Sequence, residues 1–155
     1  MRRKEREITN KNMMLEIIDQ AETCWLALNG KNKPYVVPVN FGLEDDTIYI
    51  HCAPEGKKIE MIKENPNVCL NFCIDCETML AGSPDTWTTF YKSVTAIGKA
   101  ELLYNLKARQ KGLNAFLKHY AGKSLEFGDA DLERVMIIKV IIHEMTGKTN
   151  PRPNE

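Results

Sequence analysis

Apolar residues recur along this chain in two rhythms, one helical and one alternating, and their order predicts the elements. Met13, Met14, Ile17, Ile18 and Ala21 fall at helical spacing, with Thr9 or Asn10 placed to cap the helix. Cys24 to Leu28, a polar turn over 29–33 and Tyr35 to Phe41 read as a hairpin. A second turn over 42–46 leads to a third strand over 47–52. A short helix over 57–64 is stopped by Asn65-Pro66, and a strand over 68–74 follows. After a loop through Gly82-Ser83-Pro84 comes a long β-rich run over 87–103, with a bend expected near Gly98. Asn105 caps a second long helix whose apolar face is Leu106, Leu113, Phe116, Leu117 and Tyr120, ending at Gly122. Val135 to Met145 is almost continuously apolar, as in a strand buried on both faces. Six strands joined mostly by turns, with few helices, predict a mainly β fold with flanking helices, a barrel or sandwich.

Length and charge narrow the partners. With 155 residues, no repeat and no linker, the chain reads as a single domain over 1–155. Lys plus Arg number 21 and Asp plus Glu number 21, so no net field draws it to nucleic acid. No apolar run reaches the roughly 20 residues needed to span a bilayer, and the charged start lacks the apolar stretch of a secretion signal. The expectation is a cytoplasmic protein that binds neither membrane nor nucleic acid. Five cysteines, an odd number, favour reduced thiols over a disulfide framework. Cys73 and Cys76 form a C-x-x-C, with Cys69 four residues before it. No second pair accompanies them, so a structural metal is not expected and the cysteines read as small buried hydrophobes.

The most informative stretch is His51-Cys52-Ala53-Pro54-Glu55-Gly56-Lys57-Lys58. Two lysines at a helix start face the positive end of the backbone dipole, a conflict that a bound anion relieves. Free N–H groups and two ammonium groups can together hold a phosphate; the alternative is a pair of solvated lysines offset by Glu55. His51 alternates with Tyr49 and Thr47, opposite Ile48, Ile50 and Cys52, and either lines a ligand pocket or is structural. Pro38 removes a ladder donor, which marks an edge or an interruption beside Val39 and Asn40. The Trp87–Val94 stretch mixes aromatics with hydroxyls, suiting either a planar ligand with Ser93 near a phosphate or ordinary core anchors. No Rossmann glycine motif, nucleophile elbow, zinc-protease helix or Walker loop is present.

In order and spacing these segments resemble the flavin mononucleotide (FMN)-binding split barrels related to pyridoxamine 5′-phosphate oxidase, in the nitroimidazole-resistance-protein-like branch. The residues that carry the resemblance are Tyr35 to Gly42, Ile48 to Lys58, Asn65 to Cys69, Trp87 to Thr89, Tyr91 to Val94, Gly98 to Ala100, His119-Tyr120 and Met145 to Lys148. They span roughly residues 8 to 148. The resemblance implies a six-stranded antiparallel split barrel, a homodimer and FMN at the subunit interface. It also implies that backbone at Pro38, Val39 and Asn40 lies along the flavin ring. His51 and Cys52 would sit beside ring and ribityl chain, with His51 the candidate catalytic group. Lys57 and Lys58 would meet the phosphate, and Ser93 with Trp87 would approach from the 87–94 segment.

Many relatives carry a cysteine just before the tryptophan segment, where this chain has Asp85 and Thr86, so thiol chemistry there does not transfer. The ending Asn150 to Glu155 lacks the basic substrate segment of vitamin B6 oxidases. The expected activity is reduction of a small planar acceptor, such as a nitroaromatic, with a nicotinamide as possible donor. The alternative is a protein that stores FMN or holds haem through His51 or His119. The long apolar run over 135–145 adds an argument for a subunit interface.

Overall fold

The computed structural model describes residues 3–30 and 33–152. The middle of the turn expected over 29–33, the first two residues and the last three lie outside them. Eight strands form one antiparallel sheet: β1 (Glu7–Ile8), β2 (Cys24–Asn29), β3 (Pro34–Val39), β4 (Gly42–Glu44), β5 (Thr47–Cys52), β6 (Asn67–Met79), β7 (Thr88–Leu103) and β8 (Met136–Asn150). The helices are α1 (Lys11–Gln20), α2 (Lys57–Glu64), α3 (Leu106–Ala121) and α4 (Asp129–Glu133). None is long and apolar enough to cross a membrane among the described residues.

The strands run β3-β2-β6-β7-β8-β5-β4, with β1 added to β8. The two ends of this path, β3 and β4, are joined only by Asn40 and Phe41. Three Cα steps reach at most about 11 Å, so the sheet must curl until its edges meet at that corner. No β3–β4 ladder is formed among the described residues, which makes the barrel split. Eight strands stand where six were expected. The six expected ones are present; β1 is two residues long in a charge-rich segment, and β4 occupies the stretch read as a turn. The turn itself is confined to Asp45-Asp46, with Asp45 at φ 54°.

Side-chain alternation sorts the residues. Leu26, Leu70, Val94, Ile138 and Ile50 point into one core, which Ile17 and Ile18 of α1 and Ile59 and Ile62 of α2 also enter. Asn10 caps α1, its side chain accepting from the Asn12 and Met13 N–H groups. The bend expected near Gly98 is a bulge in the β7–β8 pairing between Ile97 and Gly98. A Cβ at Gly98 would overlap the Ile141 carbonyl, so glycine permits the close approach.

Helix α3 packs on the other side of the sheet, over Tyr49, Leu103 and Ile137. It starts at Asn105, whose side chain accepts from Ala108 N–H, and ends at left-handed Gly122. Its buried residues are Arg109, Gly112 and Ala115, not the larger apolar ones expected. The helix lies so close that small residues face the strands, and Leu113, Phe116 and Leu117 fill its flanks. Arg109 donates to the Leu103 and Leu132 carbonyls, the second of which belongs to α4.

This packing corrects the reading of the apolar run over 135–145. Ile138 and Val140 face the core and Ile137 faces α3, so both sides are buried there within one chain. Beyond it Ile141 is exposed. Burial of the first half of the run is therefore complete within one chain.

Candidate functional site

Strand β5 delivers His51 and Cys52 at its end, on opposite faces. Cys52 packs partly against the barrel core, and burial pushes its thiol pKa up despite nearby Lys58. His51 lies on the outer face, its ring 4.5 Å from Phe116 of α3 in an edge contact. Burial lowers the His51 pKa, so the ring is held neutral at pH 7; its Nδ1 is buried without a hydrogen-bond partner. A neutral imidazole orients a ligand through one donor and one acceptor and is not a standing positive charge.

After an exposed loop, Gly56 turns the chain into α2 at φ 114° and ψ 177°. No side chain caps this helix, and a Cβ at Gly56 would meet nothing within 4 Å. The first helical bond is from Glu60 N–H to the Gly56 carbonyl, which leaves the earlier N–H groups outside the helix ladder. Lys57 and Lys58 stand at this end, and neither forms an ion pair among the described residues. The offset by Glu55 that the alternative reading required is not formed as an ion pair among the described residues. Instead Lys57 Nζ lies 4.1 Å from the centre of the Tyr35 ring on β3. This cation–π contact had no signal in the sequence, because Tyr35 is 22 positions away. It aims Lys57 toward the β3 edge.

Strand β3 is an edge, as Pro38 suggested, paired only with β2. Tyr35, Val37 and Val39 lean on the core while Val36 and Pro38 face outward. The Asn40 side chain is engaged in the seam. Its amide donates to Tyr120 Oη at 3.3 Å, Phe41 N–H donates to the same oxygen at 3.3 Å, and Tyr120 donates to the Glu22 carbonyl at 2.7 Å. His119 Nε2 meets the Ala21 carbonyl at 2.9 Å, its ring 4.5 Å from Phe41. Tyr120 and His119 thus pin the corner where the sheet closes. In the sequence Tyr120 reads as part of an apolar face and, with His119, as one of the residues that carry the family resemblance.

One chain carries Pro38 and Val39 on β3, Cys52 at the end of β5, Lys57 and Lys58 at the start of α2, and Ser93 on β7, with Trp87 just before that strand. Strand β7 meets the end of α2 at Ala100, whose N–H donates to the Pro66 carbonyl at 2.8 Å. The register Val39–Cys24–Phe72–Val94 sets Ser93 one residue off the row of Val39 and three strands from it, roughly 14 Å at the usual strand spacing, and Trp87 just precedes β7. Ser93 pairs with Cys73 and Lys148, while Trp87 is exposed beside Arg6, Thr78 and Tyr91.

Among the described residues no helix packs on the outer face of β3, β2, β6 and the part of β7 around Ile97; α3 reaches β7 only near its end, at Leu103. Cross-strand pairing places Val36, Ala27, Cys69 and Ile97 in one row, with Pro38, Trp25, Asn71 and Thr95 in the next. Val36 is 57% exposed, Ile97 47% and Trp25 42%. The row holds no charge until Glu144 on β8.

Residues 10–149 match the pyridoxamine 5′-phosphate oxidase family. A candidate 5-nitroimidazole antibiotic resistance protein of Bacteroides thetaiotaomicron is 32% identical, with a TM-score of 0.82 over 92% of this chain and 86% of that one. The flavocytochrome Anf3 of Azotobacter vinelandii superposes with a TM-score of 0.84 at 19% identity, over 99% and 73% of the two chains. An FAD- and haem-binding protein of Mycobacterium smegmatis gives 0.83 at 16% identity, over 97% and 76%. No curated protein matches.

Proposed function

The chain belongs to the pyridoxamine 5′-phosphate oxidase family, and from that premise we propose that it is a cytoplasmic FMN-dependent oxidoreductase acting as a homodimer. The observation that carries the reading is the start of α2. Its N–H groups are uncapped, its two lysines have no carboxylate partner among the described residues, and Gly56 borders open space. Such an end favours an anion of phosphate size. The residues present therefore suit FMN.

Lys57 and Lys58 bind and neutralise the phosphate. Backbone at Pro38, Val39 and Asn40, on the free edge of β3, is available to the ring edge. Neutral His51 gives a hydrogen bond at a fixed position, and Cys52 fills the adjoining space without ionising. Ser93 and Trp87 approach the cofactor from the β7 segment, supplied by the second copy across the uncovered outer face. When bound, FMN supplies hydride and electron transfer between a nicotinamide donor and a small planar acceptor, such as a nitroaromatic.

The absorption spectrum of the purified protein separates flavin, haem and empty protein. Charge-assisted hydrogen bonds contribute roughly 1.5–3 kcal/mol, so Lys57→Ala with Lys58→Ala is expected to weaken FMN binding at least about tenfold. Riboflavin, without the phosphate, is expected to bind the parent poorly and to lose little more in the variant. Undiminished FMN affinity would remove the site; equal losses for FMN and riboflavin would mean damage to the fold or a ring contact.

A further inference from the structure

The two cysteines of the C-x-x-C are not the buried hydrophobes their strand position suggested. Cys76 is exposed and Cys73 half-buried, and their sulfurs lie 3.0 Å apart. The backbone makes this approach possible. Two residues three apart on a regular strand point to opposite faces, but the β6–β7 pairing shifts between Ile74 and Glu77, and Asp75 takes φ 56°. The Asp75 carboxylate is tied to Lys92 at 3.0 Å across the same bulge. Strand β2 ends its pairing at Phe72, so this part of β6 is open on one flank. Gln20, Thr23, Trp25 and Cys73 border a shallow hollow there.

We propose that Cys73 and Cys76 are a redox-active dithiol that oxidises reversibly to an intrachain disulfide by exchange with small-molecule disulfides. The exposed Cys76 attacks one sulfur of the incoming disulfide as its thiolate and releases the first small thiol. Cys73 then gives up its proton and attacks the Cys76 sulfur of the mixed disulfide, releasing the second. The protein loses two protons and two electrons, and the small disulfide leaves as two thiols. The order follows from access and acidity: burial, with the neighbouring Cys76 thiol, pushes Cys73 up to about 12, so it does not ionise first. Closing the pair to a disulfide length of about 2.05 Å requires a shift near 1 Å. The site is separate from the proposed flavin phosphate contacts.

The test is to equilibrate the full-length protein with glutathione buffers from fully reduced to fully oxidised. Samples are quenched in denaturant with an alkylating agent, and thiols are counted and mapped by mass spectrometry. Two of the five cysteines, Cys73 and Cys76, are expected to disappear together as an intrachain disulfide and to return when the buffer is reversed. In Cys73→Ser, a stable glutathione adduct is expected at Cys76. In Cys76→Ser, Cys73 is expected to stay largely unmodified. Five alkylatable thiols at every ratio would overturn the proposal. So would a mixed disulfide as the parent's end state, a disulfide only between chains, or stoichiometric zinc on these cysteines. Flavin content plays no part in the readout, so failure here is distinct from failure of the FMN reading.

Discussion

The outer face of the sheet has two halves built on the same alternation, and they are treated differently. Over β4, β5 and the first part of β8, α3 covers Tyr49, His51 and Ile137, lying so close that Gly112 and Ala115 face the strands. Over β3, β2, β6 and β7, the outward residues Val36, Ala27, Cys69 and Ile97 have no cover, because α1 and α2 reach these strands from inside. An uncovered neutral stripe on a sheet is where a partner surface gains most by burial. The covered half is finished within one chain; the other half leaves a neutral stripe open, the surface on which the proposed dimer would close.

The largest effect is expected on the covered side. A Cβ at Gly42 would overlap the Ala115 carbonyl and the Phe116 backbone nitrogen, which cannot turn aside as a side chain can. Gly42→Ala should therefore cost at or above the usual ~1–3 kcal/mol of overpacking, seen as a fall in the urea midpoint. An unchanged midpoint would mean that α3 sits less tightly than described.

The uncovered half should respond in the opposite way. Val36→Asp with Ile97→Asp places charge where both residues are already exposed, so the monomer should lose less than about 0.5 kcal/mol. Dimerisation should weaken at least about 100-fold, equivalent to about 2.7 kcal/mol, as measured by sedimentation equilibrium. A parent that is monomeric with flavin bound would end the comparison outright. A variant that stays dimeric at the parent's affinity would move the interface elsewhere.

A smaller effect belongs to the corner between the halves. Tyr120→Phe removes the acceptor for Asn40 and Phe41 and the donor to the Glu22 carbonyl. Water can replace part of this at an exposed tyrosine, so a loss of about 1 kcal/mol is expected, read by the same urea titration. A loss above about 3 kcal/mol would make the seam the weak point of the barrel.

Much of this was legible along the chain because local chemistry decided it. Asn10 and Asn105 cap helices, Asn65-Pro66 stops α2, Pro38 marks an edge and Gly98 a bulge. What escaped was set by contacts between distant segments. Val36 and Ile97 are 61 positions apart, and only strand order puts them in one row. Lys57 on Tyr35 and Tyr120 at the Asn40 corner are likewise products of closure. The apolar run over 135–145 was read correctly as buried over its first half, and there its cover is the core on one face and α3 on the other. The cysteine pair escaped for a different reason: β6 runs on past the expected end at Ile74 to Met79, and the bulge between Ile74 and Glu77 leaves Cys76 exposed with its sulfur beside that of Cys73.

The smallest effect concerns His51, which lies at the boundary where α3's cover meets the candidate site. Burial lowers its pKa below the unfolded value near 6.5. Between those two values the unfolded chain binds more protons than the folded one, so stability rises with pH and falls as pH drops below about 6.5. One such proton sets a ceiling of about 1.4 kcal/mol per pH unit, and His51 should fall well short of it because its ring is only half-buried. The parent's melting temperature should therefore decline from pH 7.5 to 5.5, a window above the usual carboxylate range. His51→Asn should flatten that decline while keeping a polar neutral side chain against Phe116. If the variant keeps the full slope, the proton is taken up elsewhere, and His51 is not held neutral by α3.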